Sequence, residues 1–178
     1  MNTNALGIDF GRVIMGGAHA TGEQDTVFLD GTLEDALASP AMPGMWEAVP
    51  RLVALFDGRA WIISKCGDRI RQRTLAWLDR HDFHARTGLD PGNVRFCRRR
   101  PEKAVHCADL GITHMIDDRP DVHRALEGIV PHRYLFGPQR RPSALPNPLT
   151  WADAETMITA AVRGSGAEQR PPATRRSR

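Results

Sequence analysis

Residues 5–13 read ALGIDFGRV. The stretch joins a short apolar run to Asp9, and Gly11 follows two positions later. An apolar run of this length that ends in a turn-forming residue is typical of a buried strand. We therefore predict a strand over residues 5–10 that carries Asp9 near its C-terminal end.

The rest of the chain alternates strand-like and helix-like segments. Apolar residues recur at helical spacing, or lie between helix-start and helix-stop residues, in segments 43–58, 67–81, 101–111 and 119–128. Short apolar runs predict further strands over residues 60–64, 94–97, 113–117 and 133–136. This order predicts an α/β fold with three layers, in which a doubly wound, mostly parallel sheet has helices on both faces.

The composition indicates one domain followed by a basic tail. The chain has 178 residues, 41% of them hydrophobic, which suffices for one apolar core over residues 1–163. Residues 164–178 contain four arginines and one glutamate but no apolar side chain larger than alanine or proline, so we expect disorder there. The tail accounts for the whole net charge of +3. Its arginines can bind nucleic acid or acidic lipid, although a solubilising tail is more common.

The cysteine content and the hydropathy indicate a cytoplasmic protein. Cys66, Cys97 and Cys107 are odd in number and lack C-x-x-C spacing, which argues against a disulfide framework and a zinc site. No apolar run approaches the length of a membrane span, and no secretory leader precedes ALGIDF. We expect a reducing compartment and no membrane partner.

Polar side chains follow the ends of the predicted strands. Asp9 ends the first strand, Ser64 the second, and Asp117 with Asp118 the fourth, while Lys103 opens a helix. Ligands of such sheets bind outside the carboxyl ends of the strands, where the strand order reverses. Carboxylates suit hard cations such as Mg²⁺, and ammonium and hydroxyl groups suit phosphate. We hypothesise a magnesium-dependent phosphoryl-transfer site.

Each of these residues also has a simpler interpretation. Asp9 can cap a helix or a turn, Lys103 can be an ordinary exposed lysine, and Asp121 can be a charge favoured at a helix N-terminus. Adjacent carboxylates repel each other unless a cation or a donor lies between them. Metal binding is therefore the favoured interpretation of Asp117 and Asp118.

Four segments, in this order, resemble the motifs of haloacid dehalogenase superfamily phosphatases. They are IDFGRV at 8–13, WIIS at 61–64, PEKAVHCADLG at 101–111 and MIDDRPD at 115–121. The resemblance covers about residues 5–137 and implies the superfamily's Rossmann-like three-layer fold. Only about 30 residues separate the first motif from the next predicted helix, so we expect a small flap and no large cap domain.

The resemblance also implies a role for each residue. Asp9 is expected to be the nucleophile, with Ser64 and Lys103 as its catalytic partners. Mg²⁺ is expected to bind Asp9, the backbone carbonyl of Gly11, Asp117 and Asp118. We expect the neighbouring residues to contact the substrate anion, namely Gly11, Arg12, Lys65, Arg98, Arg99 and Arg100. The arginine triplet can equally be a solvated face.

The first motif is incomplete. Phosphatases of the superfamily carry a second aspartate two positions after the nucleophile, which protonates the leaving group and then activates water, and Gly11 stands there instead. General acid-base assistance is typically worth about 10²–10⁴ in rate. Three outcomes stay open. In the first, the substrate has a leaving group that needs no proton. In the second, a flap residue such as His19, Asp25 or Asp30 replaces the acid. In the third, hydrolysis is lost and phosphate binding is kept.

A second stretch, VFLDGTL at residues 27–33, also resembles the first motif. It has Phe28 at the nucleophile position and lies where the superfamily places its flap. We therefore expect a strand or turn of the flap, and we assign the site to Asp9.

These expectations define one function and its alternatives. We expect a magnesium-dependent phosphohydrolase that forms an aspartyl-phosphate and acts on a phosphorylated small molecule or nucleotide. One alternative is a nucleic-acid end phosphatase, which an open cleft and the arginines at 98–100 favour. The glycine at position 11 leaves open a catalytically silent module that binds a phosphorylated ligand. A homo-oligomer, in which a neighbouring subunit covers the cleft, is also open.

Overall fold

The computed structural model describes residues 3–16 and 23–168. At its centre is a five-stranded sheet in which every neighbouring pair of strands is parallel, in the order β3-β2-β1-β4-β5. The strands are β1 (Leu6–Ile8), β2 (Ala60–Lys65), β3 (Val94–Cys97), β4 (His114–Asp117) and β5 (His132–Leu135). All five predicted strands are confirmed, with ends that shift by no more than about two residues.

Helices connect the strands. They are α1 (Glu23–Asp30), α2 (Leu33–Leu37), α3 (Met45–Leu55), α4 (Asp68–Arg80), α5 (Phe83–Thr87), α6 (Lys103–Leu110), α7 (Pro120–Ala125) and α8 (Trp151–Glu168). A short 3₁₀ helix, Arg100–Glu102, leads into α6. The predicted helical segments correspond to α3, α4, α6 and α7. Within the described part of the chain, no helix combines the length and apolar character needed to cross a membrane.

Two apolar cores flank the sheet because side chains alternate between its faces. Leu6 and Ile8 on β1 belong to the larger core, which also contains buried residues of α3, α4, α5 and α8. Ile63 on β2 and Met115 on β4 belong to the smaller core, with residues of α6 and α7. The protein therefore has a Rossmann-like three-layer α/β fold, as the sequence predicts.

The central position of β1 determines where a ligand can bind. Ile8 pairs with Ile62 on β2 and with Ile116 on β4, so β1 has a neighbour on each side. The chain first extends the sheet from β1 towards β3 and then returns to place β4 on the other side of β1. This reversal puts a crevice at the carboxyl ends of β1 and β4.

The stretch VFLDGTL contains no strand, which corrects the strand alternative for residues 27–33, and its Gly31-Thr32 pair links two helices. Its first half forms the end of α1, and Thr32 is the N-cap of α2. The Thr32 hydroxyl accepts a hydrogen bond from the Asp35 backbone N–H, and the Asp35 carboxylate accepts one from the Thr32 N–H. This capping box explains the Gly-Thr pair without any catalytic role.

The C-terminal helix α8 has no counterpart among the predicted helices. Trp151 at its start is fully buried, packs against Phe136 with tilted rings whose centroids are 5.4 Å apart, and donates from Nε1 to the Val13 carbonyl at 2.8 Å. Helix α8 thereby supports the loop that follows β1. It continues to Glu168, past the predicted domain boundary at residue 163, and the rest of the predicted tail lies outside the described residues.

Candidate active site

Asp9 and Asp117 lie side by side at the carboxyl edge of the sheet. The residues before them, Ile8 and Ile116, are paired across β1 and β4, and the Asp9 backbone N–H donates to the Ile116 carbonyl at 2.9 Å. Asp117 is completely buried and Asp9 is 8% exposed. The strand pairing therefore brings together two carboxylates that are 108 positions apart in the chain.

Lys103 binds both carboxylates. Its Nζ lies 2.6 Å from Asp9 Oδ1 and 2.6 Å from Asp117 Oδ2, and the side chain is only 2% exposed. Burial by itself lowers the pKa of Lys103, but the attraction of the two carboxylates outweighs it and raises the pKa above its usual range. Lys103 is therefore a buried ammonium ion at the floor of the site, not an ordinary exposed lysine.

The turn before Lys103 is fixed by Glu102. The Glu102 carboxylate accepts hydrogen bonds from the backbone N–H groups of Arg98 and Arg99, at 3.1 and 3.2 Å. Pro101 is compatible with this first turn because it has no N–H to satisfy. The turn directs the first side chain of α6 into the sheet.

Asp118 adds a third carboxylate. One oxygen each from Asp9, Asp117 and Asp118 lies within 4.8 Å of the others. Asp118 Oδ2 is 2.7 Å from Arg12 Nη2 and 3.8 Å from Arg119 Nε. Three oxygen donors this close form a set that a hard divalent cation could bind.

Crowding of these charges shifts their proton affinities. Burial raises the pKa of Asp9 to about 6; the Asp117 carboxylate adds to the rise, while Lys103 opposes it. Burial, reinforced by the charges of Asp9 and Asp117, raises the pKa of Asp118 to about 7. The site therefore takes up protons near neutral pH unless another cation neutralises it.

A network of backbone contacts holds Asp117 in place. The Arg119 N–H donates to Asp117 Oδ1, and the Phe136 N–H donates to the Asp117 carbonyl, both at 2.9 Å. The buried His123 ring donates from Nε2 to the same carbonyl at 2.9 Å. The Arg119 N–H thus orients the carboxylate, while groups from α7 and from the segment after β5 hold the backbone carbonyl.

A cavity of about 190 Å³ opens above the carboxylates. Its lining includes most of the residues that the sequence predicts for the site, namely Asp9, Gly11, Arg12, Ser64, Lys65, Arg100, Lys103 and Asp118. Ser64 is predicted to end a strand, and in the structure β2 extends one residue further, to Lys65. The structure brings these groups together in one site.

Two predicted substrate contacts lie outside the cavity. Arg98 is 2.7 Å from Asp68, and Arg99 is 2.7 Å from Glu102, and both arginines are largely exposed. Only Arg100 of the triplet lines the cavity, and it lies 3.5 Å from Asp121. Substrate contact by Arg98 and Arg99 stays a prediction.

The groups proposed to replace the missing acid are not in the described part of the site. Asp30 is exposed, lies 3.7 Å from Arg69 and does not line the cavity. His19 lies outside the described residues, as does the side chain of Asp25. A Cβ added at Gly11 would meet no atom within 4 Å, and the φ angle of Gly11 is not positive. The position therefore has room for a side chain.

The sequence analysis missed several residues that line the cavity. Arg119 directly follows the acidic pair, which is the one signal that could have identified it. Thr74 and Ile70 lie on α4, and Phe28 and Leu29 lie at the end of α1. Their helical spacing suggests ordinary core residues, and their position at the site depends on how α1 packs on α4.

Comparison with models of known protein families gave no match, and comparison with curated protein sequences gave none either.

We predict that Asp118→Asn changes how stability depends on pH. In the metal-free folded protein the pKa of Asp118 is raised from 3.8 to about 7, so the folded state binds more protons than the unfolded state within that window. The wild type should therefore lose stability relative to Asp118→Asn as pH rises from 5 to 8, by on the order of 2 kcal/mol. Urea unfolding of both proteins in the presence of a chelator measures this difference.

The paired comparison also serves as the control. Asp9, whose pKa is raised by burial to about 6, and His114 and His123, whose pKa values are lowered by burial, are present in both proteins. The difference between the two proteins therefore reports mainly on Asp118. A stability difference that stays constant between pH 5 and pH 8 would contradict the assigned charge crowding.

Proposed function

We propose that the protein is a magnesium-dependent phosphohydrolase in which Asp9 attacks phosphorus and forms an aspartyl-phosphate. The observation that carries the proposal is the contact of Lys103 with Asp9 and with the fully buried Asp117, beside a third carboxylate, Asp118. Lys103, Asp9 and Asp118 line one cavity. Clustered carboxylates that can hold a cation, next to a buried lysine, suit phosphoryl transfer to a carboxylate, because both the cation and the lysine can stabilise the charge of the phosphoryl group.

Mg²⁺ would be held by Asp9, Asp117, Asp118 and the backbone carbonyl of Gly11. The three carboxylates fit this role because their oxygens lie within 4.8 Å of each other and are crowded enough to raise the pKa values of Asp9 and Asp118. When bound, the cation neutralises negative charge on the carboxylates and on the transferred phosphoryl group.

The remaining cavity residues suit a phosphoryl group. The Ser64 hydroxyl can donate to a phosphoryl oxygen, and Lys65, Arg100 and Arg119 supply positive charge at the cavity lining. Lys103 neutralises Asp9 while it is a carboxylate and can donate to the phosphoryl oxygens after transfer. These groups bind the anion but provide no acid near neutral pH, since arginine and ion-paired lysine hold their protons.

The reaction has two steps. An Asp9 carboxylate oxygen forms a bond to phosphorus while the bond from phosphorus to the leaving oxygen breaks, and the leaving group departs with the electron pair. Water then attacks the phosphorus of the aspartyl-phosphate, which releases phosphate and restores the Asp9 carboxylate. With glycine at position 11, no side chain there protonates the leaving group, so leaving groups that are stable as anions are favoured.

Gly11 also favours a second candidate, a catalytically silent module that binds a phosphorylated ligand. The nucleic-acid alternative has less support, because it depends on the arginine triplet and only Arg100 lines the cavity. A cytoplasmic location fits the three free, buried cysteines, Cys66, Cys97 and Cys107.

We predict that activity depends steeply on the leaving group. Acetyl phosphate and 4-nitrophenyl phosphate, whose leaving groups need no protonation, should be hydrolysed about 10²-fold or more faster than methyl phosphate, in terms of kcat/KM with Mg²⁺. Asp9→Asn should abolish turnover of all three, because an amide of the same shape is a poor nucleophile.

Similar, chemistry-limited rates for all three substrates would show that another residue supplies the proton. Binding of Mg²⁺ and phosphate without turnover of any substrate would favour the silent module. Turnover by Asp9→Asn near the wild-type rate would exclude Asp9 as the nucleophile.

We predict that Gly11→Asp raises kcat/KM for methyl phosphate by about 10²-fold, while kcat/KM for 4-nitrophenyl phosphate changes little, because its first step needs no acid. The backbone at Gly11 accepts a side chain, since its φ is not positive and no atom lies within 4 Å of the added Cβ. Steady-state kinetics on the two substrates give the ratio.

Gly67→Asp is the matched control. Gly67 has an extended backbone and open space around an added Cβ, and it does not line the cavity. The substitution therefore adds the same charge outside the site. A folded Gly11→Asp protein whose methyl phosphate turnover equals that of wild type would contradict the missing-acid explanation.

A further inference from the structure

One part of the cavity lining is apolar. Met15 in the loop after β1, Phe28 and Leu29 at the end of α1, and Ile70 on α4 contribute it. The charged lining residues come mainly from other elements, such as the 3₁₀ helix before α6 and the start of α7. The phosphoryl transfer described above uses none of these apolar side chains.

A buried hydroxyl lies in the same part of the lining. Thr74 is completely buried, and its Oγ1 has no hydrogen-bond partner among the described residues. Helical threonines commonly donate to the carbonyl one turn earlier. Thr87 does so to Phe83 and Thr156 does so to Ala152, at 2.8 and 2.9 Å. Thr74 differs from both, and buried polar groups without a partner are rare in proteins.

The apolar lining is firmly held. Arg73, only 8% exposed, donates to the carbonyls of Phe28 and Gly31 at 2.7 and 2.6 Å and so ties the end of α1 to α4. The Phe28 ring also packs against Phe10, with centroids 5.6 Å apart. These contacts fix Phe28 and its neighbour Leu29 relative to Ile70 and Thr74.

We propose that Met15, Phe28, Leu29, Ile70 and Thr74 form a subsite for the leaving group of the substrate. The subsite takes an aromatic ring, with the Thr74 hydroxyl bonding to a polar atom on the ring. The cavity of about 190 Å³ has to hold the phosphoryl group as well as the leaving group, so it suits a leaving group of one ring better than a nucleotide.

The substrate class is therefore an aryl or aroyl phosphate. This inference rests on the proposed function, and it agrees with the glycine at position 11. When the bond from phosphorus to oxygen breaks, a phenolate or a carboxylate leaves with the electron pair. The phenolate then takes a proton from water and the carboxylate stays an anion, so no acid is needed at Gly11.

Ligand affinity for an inactive enzyme tests the subsite separately from catalysis. Calorimetric titration of Asp9→Asn with Mg²⁺ present would compare phenyl phosphate, methyl phosphate and inorganic phosphate. Phenyl phosphate should bind about tenfold or more tightly than methyl phosphate, because its ring leaves water for an apolar surface.

A second substitution, added to Asp9→Asn, shows which residues produce the preference for phenyl phosphate. Leu29→Gln and Ile70→Gln should remove most of the preference for phenyl phosphate. Leu33→Gln and Leu75→Gln are the controls, since both leucines are exposed, lie on α2 and α4, and do not line the cavity. Both controls should keep the preference.

The role of Thr74 is tested with ligands that carry a polar group on the ring. At least one of the three hydroxyphenyl phosphates should bind roughly 2–10-fold more tightly than phenyl phosphate, and Thr74→Val should remove that gain without weakening phenyl phosphate binding. Valine keeps the shape of threonine and removes a hydroxyl that has no partner, so the variant should fold.

Each contrary result has a distinct meaning. Equal affinity for phenyl and methyl phosphate, with inorganic phosphate still bound, would overturn the subsite and leave the proposed function intact. Two results, each found together with a preference for phenyl phosphate over methyl phosphate, would overturn the role of Thr74. In one, no hydroxyphenyl phosphate binds more tightly than phenyl phosphate, and in the other, Thr74→Val leaves that gain in affinity unchanged. Failure of all the phosphates to bind would overturn both the proposed function and this inference.

Discussion

The buried ammonium group of Lys103 is the constraint on which the rest of the site depends. A charged group that is 98% hidden from solvent is tolerated only when opposite charges surround it, and Asp9 and Asp117 lie 2.6 Å away. The three residues connect α6 to β1 and β4, so the charges also bind a helix to the sheet. Removing one partner of such a set typically costs about 3–5 kcal/mol, because the others stay buried without compensation. Apolar residues of similar volume often stabilise a fold equally well, so stability alone does not account for these three charges.

The fold follows from the sequence wherever local pattern and long-range packing agree. Strands β2 to β5 are short apolar runs between helices with clear start and stop residues, and each was predicted to within about two residues. The strand prediction for residues 27–33 is wrong because the stretch resembles a strand motif but contains the capping box between two helices. Helix α8 is missed because its apolar positions are spread among small residues, and its anchor, the contact of Trp151 with Val13, joins residues far apart in the chain.

The site is predictable where its residues end strands. Asp9, Ser64 and Asp117 occupy positions that any parallel sheet brings to one edge. The apolar lining is not predictable in the same way, because Phe28 and Thr74 meet only through the packing of α1 on α4 and through the carbonyl contacts of Arg73. Arg98 and Arg99, which were expected at the substrate, lie beside the acidic groups of Asp68 and Glu102 and do not line the cavity. Their contact with a substrate stays a prediction.

Trapping of the covalent intermediate tests the role of Asp9 most directly. The protein would be mixed with Mg²⁺ and 4-nitrophenyl phosphate, quenched in acid during turnover, digested and analysed by mass spectrometry. We expect the mass of one phosphoryl group on the peptide that contains Asp9, sensitive to hydroxylamine as an acyl phosphate is, and absent from Asp9→Asn. Turnover with no phosphoryl group on this peptide, or with the label on another residue, would contradict Asp9 as the nucleophile.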